Sequence, residues 1–256
     1  MRNDTSNLDE IARALVAARR TRTPAVAAAA MLADAAAAYA VQDAVAASFG
    51  WFADAPARHW KAGGPSRNAV LTHAPLPPEG VWASPADARH WPFRLRCIEA
   101  EIALRLARDV SHEQAQVFDS EQAASLVDAM CVSIEIVDSR WAEGLAAPAS
   151  AKLADLQSHG ALVLGPWTPY RAVDWGQQRC SVRLGNRPPV ERCGTHAMND
   201  PVFVLPAWLR HATRHGQVLM AGTVVTTGTW VGILSAAAGD LVSATFAGIG
   251  QASVQL

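Results

Sequence analysis

Glu99 and Glu101 stand two residues apart in the run Arg96-Cys97-Ile98-Glu99-Ala100-Glu101-Ile102-Ala103-Leu104. Glu135 lies in a second run of the same kind, Cys131-Val132-Ser133-Ile134-Glu135-Ile136-Val137. Carboxylates set in apolar, β-branched sequence read as strand residues, and positions two apart on a strand point the same way. Ile98, Ala100, Ile102 and Leu104 then form an apolar face, and Glu99 and Glu101 share the other. Like charges on one face repel unless a cation lies between them. A hard divalent ion is the simplest account, and Mg²⁺ or Mn²⁺ suits an all-carboxylate donor set. On periodicity alone, the commoner origin of alternating glutamates is the wet face of a half-buried sheet. Against that reading stand the small, uncharged neighbours Cys97, Ala103, Cys131 and Ser133, where a wet face would carry more Lys, Thr and Arg.

The elements that must hold these groups are punctuated clearly. Leu8, Ile11, Ala12, Leu15 and Val16 recur at helix spacing with Ser6 as an N-cap, and a second helix runs from a cap at Asp34 to a stop at Gly50. Alanine runs at 27–30 and 35–38 suit close helix packing and equally reflect a compositional habit. From Trp51 the chain turns to short pieces divided by Gly63-Gly64-Pro65, Pro75, Pro77, Pro78 and Gly80. A helix capped by Ser120, with Ala123, Leu126, Val127 and Met130 as its stripe, leads into the strand of Glu135. Another follows Pro201, with Leu205 and Leu209 inside it. Strands are expected at 161–164, 181–184, 218–227 and 241–256.

Composition narrows the classes. A chain of 256 residues, half of them hydrophobic, is long enough for a sizeable core. A net charge of −1 gives no electrostatic case for nucleic acid or an anionic membrane. Cys97, Cys131, Cys180 and Cys193 are widely spaced with no C-x-x-C pair, so they read as reduced, buried thiols of a cytoplasmic protein. The first ten residues lack the basic-then-apolar order of a signal peptide. Gly216–Gly239 is uncharged, but its glycines and threonines read as strands and turns, not as a span. Gly248-Ile249-Gly250 leaves no room for a following helix to receive a pyrophosphate, and no Gly-x-Ser-x-Gly elbow is present. His211 and His215 are four apart without a third ligand and read as surface residues.

Several pieces, in order, resemble the 2-keto-4-pentenoate hydratase group of the fumarylacetoacetate hydrolase superfamily. They are Ala38-Tyr39-Ala40-Val41-Gln42, Trp60-Lys61-Ala62-Gly63, Ile98-Glu99-Ala100-Glu101-Ile102-Ala103 and Ile134-Glu135-Ile136-Val137-Asp138-Ser139-Arg140. Ala154-Asp155, Leu162-Val163-Leu164-Gly165, Ala207-Trp208-Leu209, Ala221-Gly222, Thr226-Thr227-Gly228-Thr229, Ala238-Gly239-Asp240 and Gly248-Ile249-Gly250 follow. The resemblance implies an α+β protein with a mixed β core of rolled sheets and an N-terminal helical segment. It makes 1–256 one domain, helical over 1–50 and β-rich with the metal site over 51–256. It implies Mg²⁺ or Mn²⁺ on Glu99, Glu101 and Glu135, a homo-oligomer, and a small 2-oxo acid substrate from aromatic-ring breakdown. Lys61 is then the proton carrier, its pKa depressed by burial near the metal, and Asp155, Ser158 and Thr229 fall at substrate-side positions. Lys61 and Lys152 are the only lysines among 22 basic residues. The chain departs from the group at Pro77-Pro78-Glu79-Gly80, where Glu79 stands as a replacement acid partner for Lys61, at Leu156 and at Thr223. The expected activity is hydration of 2-hydroxypenta-2,4-dienoate or a similar 2-oxo-alkenoate. Decarboxylation of a 2-oxo-dienedioate, acylpyruvate C–C hydrolysis and a non-catalytic partner subunit are the alternatives. No distal arginine is evident in the matching segments, which favours a monocarboxylate.

Overall fold

The computed structural model describes residues 5–27 and 32–256. Residues 1–4 of the leader reading and residues 28–30 of the first alanine run lie outside them. The helices are α1 (Thr5–Thr21), α2 (Ala35–Phe49), α3 (His112–Val117), α4 (Ser120–Ala124), α5 (Ala149–Ala154) and α6 (Leu205–Ala212). The strands are β1 (His59–Gly63), β2 (Thr72–Pro75), β3 (Val81–Ala83), β4 (Ala86–Asp87), β5 (Cys97–Leu106), β6 (Val127–Val137) and β7 (His159–Leu164). They continue with β8 (Thr168–Pro169), β9 (Arg179–Leu184), β10 (Val190–Cys193), β11 (Val224–Thr226), β12 (Leu234–Ser235), β13 (Leu241–Phe246) and β14 (Gly250–Gln255).

These strands form two mixed sheets, giving an α+β fold. The larger has the order β2-β1-β11-β5-β6-β7-β3, with β12 added to β5 and β8 to β6; the smaller runs β10-β9-β13-β14-β4. Ile98, Ala100, Ile102, Ile134 and Ile136 from the larger sheet share one core with Val182, Val242, Ala244 and Val254 from the smaller. The apolar face expected of the Glu99 strand is therefore the face that packs sheet on sheet. A second cluster joins Ile11 and Leu15 of α1, Val41 and Val45 of α2, Trp141, and Ala151 and Leu153 of α5. Asp34 caps α2 by accepting from Ala37 N at 2.8 Å, and Gly50 ends it at φ 66°. That left-handed conformation is one glycine adopts without a Cβ penalty.

Several expectations change. Ser6 lies inside α1 because Thr5 is already helical. Asp119, in a capping box with Gln122, caps α4 in place of Ser120. Val127 and Met130 belong to β6, because pairing with β5, β7 and β8 along a strand of 11 residues overrides their helical spacing. Within the 218–227 segment only Val224–Thr226 forms a strand, with an isolated bridge from Leu219 to Val110. The expected strands near 161 and 181 are β7 and β9, and the 241–256 segment is the hairpin of β13 and β14. Cys97, Cys131 and Cys180 are buried free thiols, while Cys193 is exposed. His211 is no surface residue: its ring lies 4.2 Å from Tyr39 and 4.9 Å from His73. Among the described residues no helix is long and apolar enough to cross a membrane.

Candidate metal centre and its cavity

Register brings the glutamates together. Glu99 of β5 lies directly opposite Glu135 of β6, and Glu101 lies opposite Ser133. On the same face, Lys61 of β1 pairs with Thr226 of β11, which pairs with Ala103 of β5. Directly opposed like charges destabilise a sheet. Yet Glu135 is fully buried and Glu101 is 2% exposed, so this is not a wet face. One oxygen from each of Glu99, Glu101 and Glu135 lies within 4.8 Å of the others.

Each carboxylate is held by a different set of donors. Glu101 Oε2 accepts from Gly228 N at 3.0 Å and from the Thr226 hydroxyl, which meets Ser133 Oγ at 2.8 Å. Glu135 Oε1 accepts from Lys61 Nζ at 2.6 Å and His159 Nδ1 at 3.0 Å, while its Oε2 is buried without a partner among the described residues. Burial, followed by repulsion from Glu135, pushes Glu99 up to about 8 and Glu101 up to about 7. Burial acts the same way on Glu135, but Lys61 and His159 hold it below the usual carboxylate range. A buried, partly unsatisfied all-oxygen cluster that resists full ionisation fits a hard divalent cation, which would use the orphaned Oε2 and remove the repulsion.

The fit has a pH signature. Glu99 and Glu101, whose titrations are coupled, must give up the protons they hold for all three groups to bind a cation as carboxylates. Magnesium affinity is expected to rise from pH 6 to pH 9, with protons released on binding at neutral pH. The metal-free protein should behave oppositely. Carboxylates whose folded pKa is raised contribute stability that is present at low pH and lost as pH rises through about 7–8. Calorimetry in buffers of different ionisation enthalpy measures the released protons; none released at pH 7 would contradict the coupled cluster.

The cluster opens on a cavity of about 900 Å³ whose wall includes Lys61, Glu99, Glu101, Gln157, Ser158 and Thr229. Gln157 and Ser158 arrive there through a left-handed turn in which Leu156, Gln157 and Ser158 have φ of 51°, 54° and 59°. Consecutive non-glycine residues in that region are strained, as at sites where geometry outranks comfort. The turn aims the Gln157 carbonyl at Lys61 Nζ, 3.2 Å away, and leaves Ser158 Oγ buried with no partner among the described residues. Burial pushes Lys61 down, as expected, but Glu135, Glu99 and Glu101 together hold it above its ordinary value.

The other sequence-derived candidates separate. Asp155 is buried away from this cavity, accepting from Arg140 Nε at 2.6 Å, Arg140 N at 2.9 Å and Arg19 at 3.1 Å. Thr229 is on the wall, but its hydroxyl donates to Gly232 O at 2.9 Å and accepts from Val231 N. Glu79 is exposed on a different cavity, and the acid beside Lys61 is Glu135.

No local pattern marks His159. It reaches Glu135 because β7 comes in close at Gly160, where a Cβ would stand 2.6 Å from Ile136 O. A carboxylate only accepts, so His159 Nδ1 carries the proton, and burial keeps the imidazole neutral. His159→Phe should lower magnesium affinity by ~10–100-fold, the scale for losing a partner behind a metal ligand. His159→Asn, which restores a donor near the Nδ1 position, should recover most of it. Unchanged calorimetric affinity in His159→Phe would remove the role.

The Fumarylacetoacetate (FAA) hydrolase C-terminal family matches residues 38–256. The chain is 29% identical over 158 residues to the TodF product hydratase of Pseudomonas putida (strain F1), covering 60% of this chain and 56% of that one. It is 31% identical over 159 residues to 2-keto-4-pentenoate hydratase 1 of Dechloromonas aromatica (strain RCB), covering 61% and 58%. The match thus spans less than two thirds of either relative's length. Among solved structures, 4-oxalocrotonate decarboxylase from Pseudomonas putida G7, complexed with magnesium and adipate, superposes with a TM-score of 0.81 over 98% of both chains at 17% identity. Its complex with calcium and acetate gives 0.80, also over 98% of both chains at 17% identity. At that identity the likeness carries the fold.

Proposed function

This chain belongs to the fumarylacetoacetate hydrolase family, and on that premise we propose that it is a metal-dependent hydro-lyase acting on a short 2-hydroxy-2,4-dienoate or 2-oxo-alkenoate. The observation that carries the reading is a cluster of Glu99, Glu101 and Glu135 with oxygens within 4.8 Å, Glu135 being bonded to Lys61, with Glu99, Glu101 and Lys61 on the wall of a large cavity. The hydratase names of the relatives at 29% and 31% identity support it. Mg²⁺ or Mn²⁺ held by these three glutamates would act as a Lewis acid toward the 2-oxo oxygen and its adjoining carboxylate.

The protein's own groups supply the proton traffic. Lys61, kept protonated by its acidic neighbours, would deliver a proton at C5 of 2-hydroxypenta-2,4-dienoate and recover one from the 2-hydroxyl. Glu135 and the Gln157 carbonyl fix its ammonium at 2.6 and 3.2 Å. Water then adds at C4 of the conjugated ketone, giving 4-hydroxy-2-oxopentanoate with every carbon kept. Ser158 Oγ and Gln157 Oε1, both without partners among the described residues, would hold that water or the substrate. Asp155 and Thr229 would act from behind, by bracing Arg140 and the 229–232 turn. The purified protein should consume the dienoate only with a divalent metal and without releasing CO₂. Consumption that persists after chelation, or CO₂ release from a dienedioate, would replace this reading. Activity appearing only with a second chain present would mark a partner subunit.

A further inference from the structure

No arginine lines the glutamate cavity. A separate, smaller cavity of about 230 Å³ is lined by four: Arg19 in the last turn of α1, Arg22 just beyond it, Arg94 before β5 and Arg140 after β6. The wall carries two carboxylates, Glu79 and Asp138. Glu79 is exposed. Asp138 is taken up by backbone donors, its Oδ1 accepting from Leu95 N at 2.7 Å and Ser139 N at 3.0 Å and its Oδ2 from Arg94 N at 3.3 Å.

Two of the four arginines are themselves largely buried. Arg140 is 9% exposed, and the Arg19 side chain 15%. Both bond the same oxygen, Asp155 Oδ1, from Arg140 Nε at 2.6 Å and from Arg19 Nη2 at 3.1 Å. Two guanidiniums are thus held side by side on one carboxylate. Burial, followed by repulsion from Arg140, pushes Arg19 down to about 9. The Arg19 side chain bonds through Nη2 alone and that of Arg140 through Nε and Nη2, so each fork keeps an unused Nη1 among the described residues. Arginines at the end of a helix ordinarily answer its last carbonyls. That role leaves out Arg140, which lies on no helix.

The remainder of the wall is largely apolar, with the half-buried rings of Phe49, Trp51 and Trp91. Arg19 lies over the Trp51 ring, 5.3 Å from its centroid. An inorganic anion would use the guanidiniums and leave the rings idle, and a neutral apolar molecule would do the reverse. A flat organic carboxylate uses both, since guanidinium forks match carboxylates and aromatic rings pack against flat apolar bodies. The cavity is smaller than those that enclose drug-sized ligands, so the molecule is small.

We propose that this cavity is a second ligand site, separate from the glutamate cavity, for a small flat carboxylate that places its oxygens on Arg19 and Arg140 and its apolar body against Trp51 and Trp91.

Calorimetry with benzoate as the probe tests it, on chelator-treated protein at low ionic strength. Without a metal the glutamate cluster repels anions, so binding reports the arginine cavity. Benzoate should bind at a single saturable site, more weakly as salt is added. Benzamide, its neutral counterpart, should bind at least about tenfold more weakly, the scale of a hydrogen bond to a charged group. Inorganic phosphate should also bind more weakly than benzoate. Arg19→Gln should lower benzoate affinity by about tenfold or more, and Arg22→Gln, at an exposed position, by a smaller factor through charge alone. Absence of saturable binding would overturn the proposal, as would benzamide or phosphate binding as tightly as benzoate. Undiminished benzoate affinity in Arg19→Gln would do the same. Where that variant fails to fold, undiminished affinity in Arg22→Gln decides in its place.

Discussion

Lys61→Met is expected to lower turnover by ~10²-fold or more, the scale of a lost general acid or base, while leaving the metal site able to load. The side chain stands 2.6 Å from Glu135 and lines the cavity, so its loss would remove the proposed proton donor without removing a carboxylate. Magnesium affinity should hold or tighten, because a cation that repels the incoming ion is gone. Lys61→Arg separates charge from proton transfer. Arginine keeps the positive charge but does not exchange its proton at accessible pH, so it should be nearly as slow as methionine. Steady-state rates together with calorimetric metal affinity decide the matter, and wild-type turnover in Lys61→Met would return this residue to a structural role.

The second large effect falls on Glu135. Glu135→Ala should reduce magnesium affinity by more than the ~10–100-fold that removal of a supporting partner costs, because it would take away the proposed ligand that organises the other groups. Its Oε1 collects Lys61 and His159, and its Oε2 is left for the ion. Breaking a buried ion pair usually costs about 3–5 kcal/mol. The loss of thermal stability here should be smaller, since Glu99 and Glu101 both sense the charge of Lys61 and can take over from Glu135. In the variant their pKa values should fall toward the ordinary range, which carboxyl titration by NMR would detect. Near-wild-type magnesium affinity in Glu135→Ala would exclude Glu135 from the ligand set.

The contrast between Glu101 and Asp155 shows where sequence reading stops. Both are buried acids in segments that resemble the same family. Glu101 could be placed because it sits two residues from Glu99 within an apolar β run, and strand geometry fixes which face both occupy. Asp155 has no such periodic frame. Its role depends on Arg19, brought from α1 across the second hydrophobic cluster, and on Arg140 beyond β6. The same division runs through the helices. Asp34 and Gly50 mark the ends of α2 because caps are local chemistry. Val127 and Met130 carry helical spacing yet lie in β6, because neighbouring strands compete for the same backbone and win.

By itself, the sequence determined what adjacent residues decide. It set the glutamate-bearing strands, the apolar face beneath them, the helical first segment, and the presence of two lysines among many arginines. Tertiary structure alone decided which groups meet. Cross-strand register set Glu99 against Glu135, the close approach at Gly160 brought His159 behind Glu135, and the left-handed turn at Leu156–Ser158 presented Gln157 to Lys61. It also put Lys152 on the cavity wall and Asp155 away from it. The reason is physical: side-chain direction along a strand or helix follows from backbone period, a property of a few consecutive residues. The neighbours of a buried charge follow from the packing of segments distant in the chain, 74 residues apart for Lys61 and Glu135 and 136 for Arg19 and Asp155, which no local pattern encodes.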